Sequence, residues 1–158
     1  MANDAPKPAT RPSAAESTRL LYAIARLERA TRRELERGLQ PLGLTVSQYT
    51  ALSVLRARSG LSSAQLARRS YVSPQAMNEL IAALDAKGLI TRRPSPTHQR
   101  ILQATLTPRG RHVARRGDKV VDRIEDVMLD GVAVADRAAL LASIRGCAQR
   151  MRAGLVDD

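Results

Sequence analysis

Apolar residues recur at intervals of three and four along the first part of the chain, which is the spacing of an amphipathic helix. Ser13 and Glu16 form a capping box that predicts where this helix begins, and the Pro41–Gly43 turn predicts where it ends. One face of the predicted helix is apolar and the other is charged. The apolar positions are Leu20, Ile24, Leu27, Leu35 and Leu39.

Two more capping boxes predict two shorter helices. Thr45 with Gln48 opens the first, and Ser62 with Gln65 opens the second, which reaches about Arg69. The apolar residues of the first helix are Tyr49, Leu52 and Leu55. This helix is predicted to end near Ser59 and Gly60.

A fourth helix follows after only a short turn, which is the arrangement of a helix-turn-helix. Ser73 is a favourable N-cap, and Pro74 occupies the first helical position, where its missing N–H costs nothing. Gly88 is predicted to close the helix. The apolar face of the helix consists of Ala76, Met77, Leu80, Ile81 and Leu84.

Two short strands are predicted next, at Leu89–Arg93 and Ile101–Leu106, joined by the loop PSPTHQ. Two prolines restrict the shape of this loop. The result is a short, stiff hairpin that carries Arg92, Arg93 and Arg100.

The chain closes with two more predicted helices. Thr107 and Pro108 repeat the combination of cap and proline, and the helix that they open ends near Gly131. The last helix covers about Val134–Ala153, with one apolar side formed by Leu140, Leu141, Ile144 and Met151. We expect the helices from both chain ends to interlock with those of a second copy as a two-fold dimer. Packing within one chain is the alternative.

Composition narrows the class of protein. The chain of 158 residues has three tyrosines and no Phe or Trp, which suits helix packing and gives little support for stacking on single-stranded bases or RNA. A single cysteine, Cys147, leaves no intramolecular disulfide or cysteine metal cluster. No apolar run has the length of a membrane span, and the first twelve residues lack the apolar stretch of a signal peptide. We therefore expect a cytoplasmic protein with no membrane partner.

The net charge of +11 is concentrated in the middle of the chain. Between Arg37 and Arg116 there are 13 basic residues and 2 acidic ones, Glu79 and Asp85, whereas bases and acids balance elsewhere. Such a confined excess favours binding to nucleic acid over a generally solubilising surface. A helix-turn-helix followed by a basic hairpin indicates double-stranded DNA, with the second helix in the major groove.

These observations predict a mainly α fold with a small β-hairpin wing, that is, a winged helix-turn-helix with N- and C-terminal dimerisation helices. Its expected parts are a disordered arm at 1–12, the N-terminal dimerisation helix at 13–43, the winged helix-turn-helix DNA-binding region at 44–106, and the long linking helix with the C-terminal dimerisation helix at 107–158.

The start of the second helix of the pair is where base edges are expected to be read. Gln75 and Asn78 are the candidate readers, because their amides can bond bidentately to adenine. Glu79 is repelled by phosphates, so it either accepts from a cytosine amino group or points away. Arg92, Arg93 and Arg100 are the candidate clamps on phosphates or in a narrow minor groove, with Ser63 and Arg69 as further backbone contacts. The alternative for the hairpin is an ordinary solvated surface.

The segments LTVSQYTALSVL, LARRSYVSPQAMNELIAALDAKGLITRRPSPTHQR and TLTPRG resemble the MarR family of bacterial winged-helix transcriptional regulators, from about Ser13 to Arg152. The resemblance implies a homodimer that binds a palindromic operator and usually represses nearby genes. Many members are released from DNA by a small aromatic or phenolic ligand, and others respond through cysteine oxidation.

Carried over by residue, the resemblance implies DNA-binding roles for Ser73, Pro74, Gln75 and Asn78 at the helix start and for Arg100 at the wing tip. His98 departs from the pattern because many members have an acidic residue there, and Gln99 and Glu79 fall where basic residues are frequent. His98 also supports a hypothesis of pH-dependent DNA affinity, with a solvated bystander as the alternative. Cys147 is expected to be a buried structural cysteine rather than a redox sensor.

Enzymatic readings have little support. His98 and His112 have no companion ligands at metal spacing, and the sequence contains no Gly-rich phosphate loop and no recognisable Ser-His-Asp set. We expect no catalytic residue, no metal and no cofactor. By analogy with the family, Tyr22, Arg26, Tyr49 and His112 are candidates for a ligand crevice, with packing as the alternative role of each.

The preferred hypothesis is therefore a dimeric, sequence-specific transcriptional regulator, a repressor released from DNA by a small molecule. A non-specific, nucleoid-type DNA-binding protein is the alternative that keeps the basic surface but not base reading. A winged helix used for protein interaction is the third hypothesis, and the basic stretch without acids argues against it.

Overall fold

A computed structural model describes residues 14–70, 72–96 and 99–153. The helices are α1 (Ala14–Leu39), α2 (Val46–Ala57), α3 (Ser63–Ser70), α4 (Pro74–Ala86), α5 (Pro108–Met128) and α6 (Val134–Ala153), with one turn of 3-10 helix at Gln40–Leu42. The expectations for the arm at 1–12, for the cap at Ser13 and for His98 lie outside the described residues. The predicted class, mainly α with a small antiparallel sheet, is confirmed.

The sheet has three strands, β1 (Leu61–Ser62), β2 (Ile90–Pro94) and β3 (Leu102–Leu106), in the order β1-β3-β2. All pairs are antiparallel, and the predicted hairpin is β2 with β3. The prediction of only two strands was incomplete. Strand β1 is two residues long, so it has no alternation that sequence reading could detect.

The helix ends follow the predicted caps. Thr45 and Gln48 form the full capping box, with the Thr45 side chain accepting from the backbone N–H of Gln48. Thr107 accepts from Gly110 N, with Pro108 at the first helical position. At the end of α4, Gly88 has φ 65° and donates its N–H to Asp85 O, so glycine is used where the backbone turns left-handed.

The core lies between α2, α3, α4, the sheet and α5. The largest fully buried side chains are Leu39, Leu52, Leu55, Leu66, Met77, Leu84 and Ile90. On α4 the predicted inward face is confirmed for Met77, Ile81 and Leu84, whereas Ala76 and Leu80 are only partly buried. Burial therefore fixes the orientation of α4 and turns its remaining face outward.

The two ends of the chain leave apolar side chains uncovered. On α1, Leu21 is 67% exposed and Ile24 is 53% exposed, and on α6, Ile144 is 55% exposed. Within the part of the chain that the structure describes, no other helix or strand packs extensively against α6. Packing within one chain, the alternative to dimerisation, is thus seen for the end of α1, where Gly38 lies beside Val120 of α5, but not for α6.

The expectation that Cys147 is buried was wrong for the single chain, because its side chain is exposed. Cys147 lies on α6, where none of the described elements covers it. Its sulfur accepts a 3.3 Å hydrogen bond from Arg150 Nη2.

Candidate nucleic-acid interface

The first turn of α4 is fixed at its start by its own cap. Ser73 has the extended backbone of an N-cap, and its hydroxyl oxygen accepts from Ala76 N at 3.1 Å. Pro74 follows at the first helical position. The predicted helix start is therefore confirmed, and the side chains after it are held at defined positions.

Three polar side chains occupy the outward face of α4, and all three are exposed. At 100° per residue, Asn78 lies about 60° to one side of Gln75 and Glu79 lies about 40° to the other. Gln75 is thus central on the face that α4 turns away from the core.

Asn78 lies on the α3 side of this face. The hydroxyl of Ser63, at the start of α3, donates a hydrogen bond to Asn78 Oδ1. Both residues are candidates from the sequence, but the sequence does not pair them, because they are fifteen positions apart on different helices. The structure therefore adds a direct contact between the two helices of the helix-turn-helix at the residue expected to read a base.

Glu79 lies on the opposite side of the same face. It lines a shallow groove with Ser47 at the start of α2 and with Val72, Ala76, Leu80 and Ala83. Glu79 is about 40° from Gln75 around the helix, so both expectations for it, acceptance from a cytosine amino group and a direction away from the phosphates, stay predictions.

The wing presents its arginines in two directions. Arg92 lies opposite Ala104 in the β2–β3 register, and Arg93 lies opposite Gln103. Because consecutive residues of a strand point to opposite faces, Arg92 and Arg93 project from opposite faces of the hairpin. Arg100 is exposed in the turn before β3.

The wing turn is closed by a 2.7 Å bond from Ser95 N to Ile101 O. In addition, Gln103 Nε2 donates to Ser95 Oγ at 3.4 Å. These bonds hold the base of the loop in which Arg100 lies.

Arg69 belongs to a cluster that sequence reading found only in part. With Arg58 and Arg68 it surrounds a shallow groove between the ends of α2 and α3. All three side chains are exposed, and none forms an ion pair among the described residues. In the sequence, the signal for this cluster is the Arg68–Arg69 pair at the end of a helix that has no acidic residue.

The basic excess of the middle region is largely unneutralised. Of its 13 basic residues, only Arg37 and Arg56 form an ion pair within the described ranges, with Glu34 and Asp118. A surface with so many unpaired cations attracts a polyanion over a range set by the ionic strength.

Tyr49, one of the four crevice candidates, lies between α2 and α5. Its ring packs against Gly117, and its hydroxyl donates a 2.9 Å hydrogen bond to Asp118 Oδ1. Burial and the neighbouring carboxylate of Asp118 raise the pKa of Tyr49 to about 12. His112 is exposed on α5, five residues before Gly117, about 8 Å along the helix.

The other two candidates lie together elsewhere. The guanidinium carbon of Arg26 is 5.9 Å from the centre of the Tyr22 ring on the exposed part of α1. Tyr22 is seventeen residues before Leu39, whose side chain lies beside Gly117 with that of Tyr49, so the two positions are about 25 Å apart along α1. One chain alone does not assemble the four residues into a single crevice.

A groove of about 620 Å³ lies between the end of α1 and α5, and sequence reading had not singled it out. Its apolar lining comes from Pro41, Leu42 and Val120. Three cations border it, namely Arg116, Lys119 and Arg123, and they recur at helical spacing on α5 together with Asp122. That spacing was the signal in the sequence.

The described residues contain neither a metal-binding group nor a membrane-spanning helix. No three His, Cys, Asp or Glu side chains within the described ranges are grouped so that they could hold a metal ion. None of the described helices is both long enough and apolar enough to span a bilayer.

The fold and this surface define a winged helix-turn-helix protein whose helix pair and wing carry exposed basic residues. A family model described as "MarR family" matches residues 42–101. The HTH-type transcriptional repressor Rv2887 of Mycobacterium tuberculosis is 42% identical to this chain over 107 residues, which make up 68% of this chain and 77% of the relative. The chain therefore belongs to the MarR family of DNA-binding transcriptional regulators, and the resemblance found in its sequence is confirmed.

Solved structures show the same fold. The transcriptional regulator BldR of Sulfolobus solfataricus has a TM-score of 0.77 at 26% identity, with 89% of this chain and 99% of that chain covered. The transcriptional repressor CouR bound to a 23-mer DNA duplex has a TM-score of 0.76 at 26% identity, with the same coverage of both chains. Rv2887 in complex with p-aminosalicylic acid has a TM-score of 0.65 at 34% identity, covering 82% of this chain and 98% of that chain.

Proposed function

We propose that this chain is a homodimeric, sequence-specific repressor that acts in the cytoplasm on a palindromic operator and leaves it when a small aromatic acid binds. The observation that carries the proposal is the outward face of α4, where Gln75 and Asn78 are exposed beside a basic wing. The relative Rv2887, a repressor by name, supports the sign of regulation.

In this proposal the two parts of the surface have different tasks. Ser73 and Pro74 set the start of α4, and Gln75 and Asn78 read base edges in the major groove. The arginines bind the DNA backbone, and these contacts carry no information about base sequence. The holding group comprises Arg69, Arg92, Arg93 and Arg100, with His98 beside Arg100 in the sequence.

Dimerisation is supported by the uncovered apolar side chains of α1 and α6. A second copy would remove them from water, and each fully buried Leu or Ile side chain contributes about 1.5–3 kcal/mol.

Ile24→Glu should therefore give a monomer, measured as molar mass in solution. Arg29→Glu introduces the same residue on the opposite face of α1 and should leave the dimer intact. A monomeric wild type would reject the dimer, and equal effects of both variants would reject the apolar face of α1 as its interface.

A palindromic operator follows from the two-fold symmetry of such a dimer. The two α4 helices would contact successive major grooves about 34 Å apart. Footprinting on the DNA upstream of the protein's own gene should show two protected half-sites separated by about one turn. A single protected half-site at saturation would argue against a two-fold complex.

Release by an aromatic acid is supported by the groove between α1 and α5, whose apolar lining suits a ring and whose cations suit a carboxylate. A relative solved with p-aminosalicylic acid supports the ligand class.

Salicylate should weaken operator binding at least about tenfold, which corresponds to a coupling free energy of about 1.4 kcal/mol between ligand binding and DNA binding. Lys119→Gln should reduce this response if the ligand occupies the groove, and His112→Gln should reduce it if the ligand occupies the predicted crevice. No response to saturating salicylate or p-aminosalicylate would exclude this ligand class.

A further inference from the structure

We infer that Ser63 is a positioning residue for base recognition: its hydroxyl anchors the Asn78 amide by a hydrogen bond and so fixes where α4 presents that amide to DNA. The inference rests on the proposed function, because it concerns how the proposed reader is held. It also changes the role expected for Ser63, which had been a contact to the DNA backbone.

The backbone of Ser63 is held in place by the residues on both sides of it. The preceding residue, Ser62, is paired with Gln103 in the sheet. Ser62 also forms a capping box with Gln65, with bonds of 3.0 and 3.3 Å. The backbone that carries Ser63 is thus fixed as the end of a strand and as the start of a helix.

The bond to Asn78 uses the only proton of the hydroxyl. A serine has one O–H donor, and here it is donated to Asn78 Oδ1. Ser63 cannot donate the same proton to a phosphate oxygen. Its side chain therefore acts through Asn78 while this bond exists.

The bond also anchors the amide at one end. An Asn side chain has an acceptor at Oδ1 and two donors at Nδ2, and Oδ1 is the end that is bonded to Ser63. No described residue forms a hydrogen bond to Nδ2, so its donors remain free for an acceptor on a base edge.

Placement matters because the amide must meet two atoms of one base edge at once. In the major groove adenine offers an acceptor beside a donor, which an amide matches, whereas guanine offers two acceptors. An Asn78 side chain that moves freely can shift to meet a mismatched edge in part. A side chain anchored by Ser63 is placed for the matching edge and discriminates better.

The test compares affinities of the full-length protein for its operator with each base pair changed in turn. Wild type, Asn78→Ala, Ser63→Ala, Ser63→Thr and the double alanine variant are measured at one salt concentration. Asn78→Ala identifies the base pair that Asn78 reads. We expect Ser63→Ala to reduce discrimination at that same base pair about three- to tenfold, the range of one hydrogen bond, and to leave the other positions unchanged.

Two comparisons separate positioning from a general loss of structure. Ser63→Thr keeps the hydroxyl and should restore discrimination, and the double variant should match Asn78→Ala alone because the effects are coupled. Ser59→Ala, an exposed serine in the loop before β1, is the matched control and should change nothing.

Three results would overturn the inference. Unchanged discrimination in Ser63→Ala would show that the hydroxyl does not position the amide. Equal weakening on all sequences with a smaller salt slope would show a phosphate contact instead. Effects of Ser63→Ala and Asn78→Ala at different base pairs would separate the two residues. If wild type discriminates at no base pair, the proposed function itself fails. The other three results leave the discrimination of wild type intact, so the two kinds of failure can be told apart.

Discussion

The hydroxyl of Tyr49 donates a 2.9 Å hydrogen bond to Asp118 Oδ1, and this bond joins α2 to α5 across 69 positions of sequence. The other carboxylate oxygen of Asp118 lies 3.2 Å from Arg56 Nη2, which comes from the same helix as Tyr49. Through these contacts the DNA-binding region is connected to the helix that leads to the C-terminal end. A shift of α5 relative to α2 would have to break them.

The Tyr49 hydroxyl should contribute to stability in a pH-dependent way. We expect Tyr49→Phe to lower the free energy of unfolding by about 1–2 kcal/mol at pH 8, because a hydrogen bond to a charged acceptor is lost. The pKa of Tyr49 is raised to about 12 from an ordinary value of 10.0. Its contribution is therefore complete below pH 10 and is lost as the pH rises from 10 to about 12.

Urea unfolding of wild type and Tyr49→Phe between pH 8 and 11.5, at one protein concentration, measures this difference. The two curves should approach each other above pH 10. Tyr22→Phe is the control, because the Tyr22 hydroxyl has no hydrogen bond among the described residues, and it should match wild type at pH 8. A difference between wild type and Tyr49→Phe that stays constant up to pH 11.5 would contradict the assigned role.

Gly110, the glycine of the TLTPRG segment, should not tolerate a side chain. A Cβ there would overlap the carbonyl oxygen of Leu89. That oxygen accepts a 3.0 Å bond from Thr107 N, so it cannot move away without cost. We expect Gly110→Ala to destabilise the fold by about 3 kcal/mol, at the upper end of typical overpacking.

Gly146→Ala is the matched control for this substitution. A Cβ at Gly146, inside α6, meets only the guanidinium end of Arg150, at 3.4 Å. Because alanine favours helix over glycine, this variant should be unchanged or up to about 1 kcal/mol more stable. Thermal unfolding of both variants decides the matter, and equal stabilities would show that the contact at Leu89 is not tight.

Reader and clamp should respond differently to DNA sequence and to salt. Gln75→Ala should cost about 1–3 kcal/mol on the operator and relax the choice at one base pair. Arg93→Ala should weaken operator and random duplex alike and lower the slope of log affinity against log salt by about one. Fluorescence titrations on both duplexes at several salt concentrations measure this, and equal losses for both variants on both duplexes would reject the division.

Features carried by local sequence were predicted correctly. The caps at Thr45, Ser73 and Thr107 and the glycine at Gly88 act within a few residues, so their signals lie in adjacent positions. The range of α6, at 134–153, was predicted in full because its flanks and helical pattern are local too. The inward face of α4 followed from its period.

Features that depend on distant contacts were not predicted. The bond between Ser63 and Asn78 joins α3 to α4, and the bond from Lys87, just after α4, to Gln48 on α2 joins positions 39 apart in the sequence. No local pattern records such pairs. Exposure of Cys147 depends on what packs against α6, which one chain does not supply. The opposed directions of Arg92 and Arg93 required the register of the sheet.

The central claim is that this protein reads DNA sequence and does not simply bind its charge. The most direct measurement is the ratio of its affinities for its own upstream region and for a random duplex of the same length at about 150 mM salt. A sequence-specific regulator should show a ratio of roughly a thousand or more. A ratio near one, with binding that falls steeply with salt on both duplexes, would contradict the account and identify a non-specific DNA-binding protein.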